Sequence, residues 1–421
     1  MKFARYIIIA IAIIALGSSA AAQKILIPMD LSQSNHLKAY GLVYWNLTRG
    51  QKVDWLLNYR GGSFMMEYSD AVAAECRIRG IGFENISPGT ASSIYSEVQA
   101  DGVNMDVVIL EKAPKIAVYA PPGSQPWDDA VRLALEYAEV DHEVIWDEDV
   151  IKGKLHEYDW LHLHHEDFTG QYGKFWASFR NQPWYIQQQA LNESMARKLG
   201  FNKVSELKKA VALKIHQYVE DGGFMFAMCS ATDTYDIAMA AMNVDICESM
   251  FDGDPADPNA NQKLNYDNTY AFEDFQLKMD PYEYEFSTID VGPTSLDNPD
   301  ADYFTLFEFS AKYDPVPTML TQCHVNIIHG FLGQTTAFHE NLIKKSVIKL
   351  AKREGTDEVK YIHGIIGRGT FTWYGGHDPE DYRHAVGDPP TELDLFKSSP
   401  GYRLILNNIL FPAAKKKKQK T

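Results

Sequence analysis

Short apolar runs alternate with amphipathic stretches from the start of the chain's first lobe. Strands are predicted at residues 24–29, 53–58 and 103–110, and helices at residues 36–47 and 71–79. The stretch Arg60-Gly61-Gly62 reads as the end of the second strand. This alternation favours an α/β lobe with a mostly parallel sheet over residues 23–113.

The alternation resumes in a second unit, which we assign to residues 114–411. Strands are predicted at residues 115–119, 143–146, 158–164 and 224–228, and helices at residues 128–140 and 205–219. The last third is expected to add a helix at residues 341–351, a strand at residues 369–373 and a closing helix at residues 402–410. We therefore predict an α/β fold in two parts.

Residues 245–317 break this rhythm. They are acidic and rich in Asp, Asn, Pro and Tyr, and they predict a large insertion that packs on the sheet and covers or edges a site. The side chains of Asp252, Asp254 and Asp257 are spaced as in a calcium loop, although the glycine and the closing glutamate of such a loop are absent. A calcium ion is one hypothesis for this segment.

The termini and the charge suggest where the protein works. Residues 1–22 have two basic residues, an apolar run and an Ala20-Ala21-Ala22 site, which predicts a signal peptide, export to the periplasm and a mature chain that begins at Gln23. No later segment is long and apolar enough for a membrane span. The formal net charge of −16 argues against a nucleic-acid partner, with the basic tail at residues 412–421 as a solvated exception.

One cysteine stands where a buried strand gives way to a helical pattern, in the stretch GGFMFAMCSATDTYD. The segment LKIHQYVEDGGFMFAMCSA resembles the helix–strand–cysteine segment of the class I glutamine amidotransferase-like superfamily, and KIAVY, DAVRLALEYAEV and YDWLHLH resemble its ThuA-like branch. The resemblance covers about half the mature chain. It implies a flavodoxin-like, doubly wound parallel sheet carrying an N-terminal α/β lobe and the acidic insertion.

The whole chain, including LLNYRGGSF and HLHHEDFTGQYGKF, also resembles an exported bacterial family that is often labelled asparagine synthetase B. The residues do not support that label. Enzymes of that name have a cysteine directly after the initiator Met and a Ser-Gly-Gly nucleotide loop, and this sequence has neither.

The superfamily resemblance implies a catalytic set. Active members have a Gly-x-Cys-x-Gly turn and a later His-Pro-Glu segment that supplies a base and an orienting carboxylate. Here Ala227 and Ala231 replace the two glycines around Cys229, and the later segment reads Gly-Gly-His-Asp-Pro-Glu. The implied roles are Cys229 as nucleophile, His377 as base, and Asp378 or Glu380 as the orienting group. Cys229 is then expected at the mouth of a cleft with His377 facing it.

The alternative interpretation of Cys229 is a small buried residue that packs in the core, which is what most free cysteines are. The four cysteines allow three disulfide pairings. Because a working thiol must be reduced, we expect Cys229 to stay free, with Cys247–Cys323 as the pair if one forms.

A second group of polar residues ends the strand YDWLHLHHED. Carboxyl ends of parallel strands are where α/β sheets bind ligands, so His164, His165 and Glu166 are candidate ligand-binding residues. Strand alternation puts His162 and His164 on one face, where they could hold a divalent metal with His377. The alternative is a structural role, with His162 in the core and the turn bonding to a loop.

Further candidates for ligand binding lie at other predicted strand ends. Arg60 and Arg368 could pair with an anionic ligand, and Trp373 belongs to an aromatic set that could stack against a sugar. Together the sequence supports three hypotheses: a cysteine hydrolase of an amide or related acyl group, a non-catalytic envelope protein that binds a small polar or glycan ligand, and a metal-assisted hydrolase.

Overall fold

The computed structural model describes residues 23–124, 128–292, 302–314, 318–383, 385 and 387–415. The predicted signal peptide and most of the basic tail lie outside the described residues. The described part is an α/β structure built on two sheets, one antiparallel and one mixed. No helix within these ranges combines the length and the apolarity needed to cross a bilayer.

The first lobe carries a five-stranded sheet and three helices. Its strands are β1 (Lys24–Ile27), β2 (Val53–Leu57), β3 (Ser63–Glu67), β4 (Glu84–Ile86) and β5 (Asp106–Leu110), in the order β4-β1-β3-β2-β5. Its helices are α1 (His36–Thr48), α2 (Asp70–Arg79) and α3 (Pro88–Gln99).

Every strand pair in this first sheet is antiparallel, so the expectation of a mostly parallel lobe was wrong. The reason lies between β2 and β3. Asn58, Arg60, Gly61 and Gly62 all have positive φ, and this left-handed turn reverses the chain and pairs β3 with β2. The Arg-Gly-Gly stretch is therefore the turn of a hairpin rather than the end of an isolated strand.

The second sheet has ten strands. They are β6 (Ile116–Tyr119), β7 (Glu143–Ile145), β8 (Trp160–Leu163), β9 (Phe224–Met228), β10 (Tyr303–Leu306), β11 (Ile327–His329), β12 (Phe338–His339), β13 (Ile348–Lys352), β14 (Glu358–Ile366) and β15 (Gly369–Tyr374). Five neighbouring strands, β7-β6-β8-β9-β15, are parallel. The strands β14, β13, β10 and β11 continue the sheet in antiparallel pairing, with β12 beside β14.

Helices cover both faces of the second sheet. They are α4 (Ala130–Ala138), α5 (Asp147–Ile151), α6 (Trp176–Phe179), α7 (Pro183–Lys198), α8 (Val204–Glu220), α9 (Ser230–Ala240), α10 (Ser249–Asp252), α11 (Ala260–Lys263) and α12 (Pro400–Leu410). The helices α1, α4 and α12 lie in one core with side chains of both sheets, so the two sheets sandwich a helical layer. The helices α8 and α9 lie in the core of the opposite face.

Two predictions for the last third need correction. The helix expected at residues 341–351 is wrong: a single turn at Glu340–Leu342 leads into strand β13. The run is strand because β13 pairs along one side with the nine-residue strand β14, a partner that local propensity does not reveal. The predicted insertion at residues 245–317 also ends too late, since β10 is a strand of the main sheet.

The carboxylates of the acidic segment face a lysine in this structure. The Lys203 ammonium contacts the carboxylates of Asp245, Asp252 and Asp254, so a lysine occupies the centre where the calcium hypothesis placed an ion. Asp257 instead pairs with Lys263, at 2.9 Å. Lysine side chains of the chain itself thus offset part of the negative charge of these carboxylates.

Candidate functional site

Cys229 lies at the turn between strand β9 and helix α9. Its backbone angles are φ 52° and ψ −140°, a region that residues with a side chain rarely adopt. Neither Ala227 nor Ala231 has a positive φ, which explains why alanine can replace both glycines of the expected turn. The strain of this turn is therefore concentrated in Cys229.

The thiol of Cys229 is buried, with only 2% of the residue exposed, instead of lying at an open mouth as we expected. The loop of residues 331–337 covers it, and the backbone N–H of Gln334 donates to Sγ over 3.3 Å. Burial raises the pKa of the Cys229 thiol, although backbone N–H groups, among them that of Thr335, act in the opposite direction. The thiol is shielded from solvent in this arrangement.

The covering loop is held in place from two sides. The backbone N–H groups of Gly376 and His377 donate to the carbonyl oxygens of Thr335 and Leu332, at 2.7 and 2.8 Å. The ammonium of the buried Lys360 bonds to the carbonyl oxygens of Phe331 and Thr336 from the other side. Burial lowers the pKa of Lys360 to about 8.

Three imidazoles meet beside this turn. The Nε2 atoms of His164 and His377 lie 2.9 Å apart, within hydrogen-bonding distance. His165 stacks over His377, with ring centroids 5.5 Å apart. One ring nitrogen from each of the three lies within 4.8 Å of the others. His164 and His377 are buried and His165 is exposed, so the group extends from the interior to the surface.

Asp129 supports this group from beneath, a role that the sequence analysis missed. Its Oδ1 atom lies 3.1 Å from His162 Nε2 and 3.4 Å from His164 Nδ1. It also accepts the backbone N–H groups of Val131 and Arg132 as the N-cap of α4. Burial alone would raise the pKa of Asp129, but the charge and hydrogen bond of His162 and the N–H donors hold it below its ordinary value. The signal in the sequence was an Asp at the start of the helix predicted at residues 128–140, where an N-cap residue is common.

His162 belongs to a different group from the one that contains His377. Its ring nitrogens face Asp129 and, at 3.3 Å, the carbonyl oxygen of Phe226. Of the three predicted metal ligands, the structure thus brings His164 and His377 together with His165, while His162 groups with Asp129 and His164.

The triad hypothesis placed Asp378 or Glu380 against the imidazole of His377, but the hydrogen bonds that follow connect these two carboxylates to other groups. Asp378 accepts the backbone N–H of Glu380 at 2.9 Å, and Glu380 accepts the hydroxyl of Tyr382 at 3.0 Å. Burial raises the pKa of both carboxyl groups. With Asp128, Asp381, Asp388 and His377, Asp378 lines a small acidic cleft.

Glu166 lies at the edge of a buried charge network. The ammonium of Lys208 lies 3.9 Å from Glu166 and 3.1 Å from Asp147, and it also bonds to the hydroxyl of Tyr119. Burial raises the pKa of Glu166 to about 7, even though the charge of Lys208 acts in the opposite direction.

Three predicted ligand-binding residues have structural contacts. Arg60 pairs with Asp30 and Glu84, each at 2.7 Å, in the first lobe. Arg368 is exposed and pairs with Asp221 at the amino end of β15, whereas the candidate site lies at the carboxyl ends of the parallel strands. Trp373 is fully buried among aromatic side chains of the core, so it has no face to offer a sugar.

The four cysteines all lie in the described ranges and none is in a disulfide, so Cys229 is free as expected, and Cys247 and Cys323, the pair named in case a bridge formed, are not joined. Cys247 lies in the core on one face of the second sheet, and Cys323 packs against the core on the other face. The sheet separates the two thiols.

A second cavity, larger than the acidic cleft beside His377, has a volume of about 450 Å³. It is lined by Lys278, Glu285, Thr288, Asp290, Val291, Gly292 and His339, none of which the sequence analysis had selected.

Comparisons with known proteins place the chain in no characterised group. No family model and no curated protein matches it. Among solved structures, it is similar to two cytoplasmic proteins of Salmonella typhimurium, with 11% and 12% identity and TM-scores of 0.32 and 0.34. Each alignment covers 72% of this chain and 100% of the Salmonella chain.

Proposed function

We propose that this protein is an exported hydrolase of an amide or related acyl group, with Cys229 as its nucleophile. The observation that carries the proposal is the backbone of Cys229, which is held at φ 52° between β9 and α9. Strain of this kind costs about 1–3 kcal/mol and persists at sites where a side chain must be presented in one direction. A nucleophile on a strand-to-helix turn is the recurring functional example.

The order of the parallel strands supports a flavodoxin-like, class I amidotransferase-like arrangement. Numbered along the chain, β6, β7, β8, β9 and β15 lie in the order 2-1-3-4-5, which is the order of doubly wound sheets of that type. In that arrangement Cys229 follows the fourth strand and His377 follows the fifth. Their strands are neighbours, and Tyr374 pairs in register with Met228.

The chemistry follows from these positions. The Cys229 thiol gives its proton to Nδ1 of His377, whose Nε2 faces Nε2 of His164, and the sulfur attacks the acyl carbon. Backbone N–H groups at the start of α9 stabilise the oxyanion, the leaving amine takes the proton from the imidazole, and water hydrolyses the thioester. His164, held by Asp129, takes the place next to His377 that the sequence analysis gave to Asp378 or Glu380. The loop of residues 331–337 must lift to admit the substrate, because it covers the thiol.

Alkylation of the mature protein with iodoacetamide tests the thiol. Cys229 should react faster than the buried Cys76 and Cys247, and Cys229→Ala should abolish hydrolysis across a panel of simple amides and thioesters. Cys76→Ala is the matched control, since it removes a buried thiol from the first lobe and should leave hydrolysis intact. Labelling of Cys229 only after denaturation, with no loss of activity in Cys229→Ala, would refute the proposal.

The burial and raised pKa of the thiol favour a second candidate, a non-catalytic envelope protein that binds a small polar or glycan ligand in the same cleft. Ligand binding that survives Cys229→Ala in a protein without hydrolytic activity would favour the binding protein over the hydrolase.

Both candidates act after export, so the N-terminal sequence of protein from periplasmic extract should begin at Gln23. Recovery of Met1 from the folded protein would contradict export.

A further inference from the structure

We propose that His164, His165 and His377 bind one divalent transition-metal ion of the zinc type. This site goes beyond the proposed function and does not depend on it, because it rests on the positions of the imidazoles alone. The three ring nitrogens lie within 4.8 Å of one another, and the closest pair is 2.9 Å apart. Two imidazole nitrogens on a tetrahedral zinc ion lie about 3.4 Å apart, so small side-chain shifts suffice.

The donor set selects the kind of ion. Neutral imidazole suits zinc, copper, nickel and iron, whereas calcium and magnesium require oxygen ligands. Three protein ligands leave one position of a tetrahedral ion open for water or a ligand. His377 lines the acidic cleft and His165 is exposed, so an ion bound here is reached from solvent.

The ring of His164 is held in the orientation that metal binding needs. Its Nδ1 atom lies 3.4 Å from Asp129, a carboxylate that attracts the N–H to this side and leaves the lone pair on Nε2. Asp129 is itself fixed by His162 and by two backbone N–H groups. His162 is thus a positioning residue and not a ligand, because its two nitrogens face Asp129 and the carbonyl oxygen of Phe226.

The location in the sheet gives independent support. Asp129 follows β6 and His164 follows β8, which are neighbouring strands. After β6 the chain continues to β7 on one side of this pair, and after β8 it continues to β9 on the other side. Open α/β sheets bind ligands at such a switch point, outside the carboxyl ends of the strands. Asp128, Asp378 and Asp381 line the same cleft and favour a cation electrostatically.

The ion and the thiol reaction exclude each other. An ion on Nε2 of His377 leaves the proton of the neutral ring on Nδ1, which is the nitrogen that would take the proton from Cys229. The metal-loaded protein is therefore the form in which thiol chemistry is off, and the metal-free protein is the form that could hydrolyse an acyl group.

Titration of the chelator-treated mature chain with Zn²⁺, followed by calorimetry, tests the site. We expect one ion per chain. His164→Gln, His165→Gln and His377→Gln should each weaken binding at least tenfold, and Asp129→Asn should weaken it about 10- to 100-fold through His164. The matched control is His156→Gln, which removes an exposed histidine outside the group and should leave the affinity unchanged. Cys229→Ala should also bind Zn²⁺ as the parent does.

Equal Zn²⁺ affinity in the parent and in a variant lacking all three imidazoles would overturn the proposal, as would loss of binding in Cys229→Ala. If a variant fails to fold, the absorption spectrum of the parent loaded with Co²⁺ decides, because imidazole ligands give no thiolate charge-transfer band and a cysteine ligand does. The outcomes also separate the two proposals. Zn²⁺ binding without thiol-dependent hydrolysis leaves the metal site standing, and the reverse result leaves only the hydrolase.

Discussion

The Nε2 atoms of His164 and His377 lie 2.9 Å apart, although 213 positions separate the two residues in the chain. His164 follows β8 and His377 follows β15, and the strand between them is β9, which is followed directly by Cys229. Three strand ends thus bring two imidazoles and a strained cysteine to one edge of the sheet. This edge is the centre of both proposals.

The strain at Cys229 predicts an unusual order of stability between two variants. Glycine in place of alanine normally costs up to about 1 kcal/mol, because the unfolded chain gains entropy. At φ 52° and ψ −140° the order should reverse, and Cys229→Gly should be more stable than Cys229→Ala by about 1 kcal/mol. Urea denaturation of both variants measures the difference. The matched control is the neighbouring helical residue: Ser230→Gly should be less stable than Ser230→Ala.

Asp129 should be far more important for stability than its neighbour in sequence. Asp129 is buried and accepts several donors, so Asp129→Ala leaves buried N–H groups unpaired and should lower the free energy of unfolding by about 2–4 kcal/mol. Asp128 is exposed, and Asp128→Ala should change it by less than about 0.5 kcal/mol. Equal effects of the two substitutions in urea denaturation would show that Asp129 does not hold the site together.

The buried His363 predicts a loss of stability in acid. Burial lowers the pKa of His363 from 6.5 to about 4, so the unfolded chain takes up a proton in a range where the folded chain does not. Its contribution is therefore present above pH 6.5 and is lost as the pH falls toward 4. Between pH 7 and pH 5, His363→Gln should lose about 2 kcal/mol less unfolding free energy than the parent.

The difference between the two proteins is the quantity to compare in that experiment, because the other titrating groups are common to both. Between pH 8 and pH 7 this difference should stay constant, which serves as the internal control. Parallel stability curves from pH 8 to pH 5 would mean that His363 titrates alike in the folded and unfolded chains.

Lys203 should stabilise the acidic segment by offsetting part of its negative charge. Its ammonium contacts Asp245, Asp252 and Asp254, so Lys203→Met leaves three carboxylates facing one another and should lower the unfolding free energy by about 1–3 kcal/mol. Added Ca²⁺ should raise the melting temperature of this variant and leave that of the parent unchanged. The control is Lys263→Met, which removes a single half-exposed ion pair and should have little effect. A parent protein stabilised by Ca²⁺ to the same extent would contradict this.

The sequence alone predicted those features that depend on local patterns. Helix α1, helix α8 and strand β9 are where the apolar spacing puts them, because each has a complete amphipathic or buried run of its own. The position of Cys229 at a strand-to-helix turn followed from the same reasoning. The four cysteines, the histidines after β8 and the Gly-Gly-His segment were all visible as candidates.

Only the tertiary structure decided what depends on pairing between distant segments. The antiparallel first sheet and the neighbourhood of His164 and His377 arise from segments far apart in the chain, and strand β13 depends on its pairing with β14; no local propensity contains that information. The roles of Asp129 and Lys203 were hidden for the same reason. From sequence alone, a carboxylate or an ammonium is expected to be solvated at the surface. It organises the residues around it only when folding removes its water and brings hydrogen-bond and ion-pair partners to it.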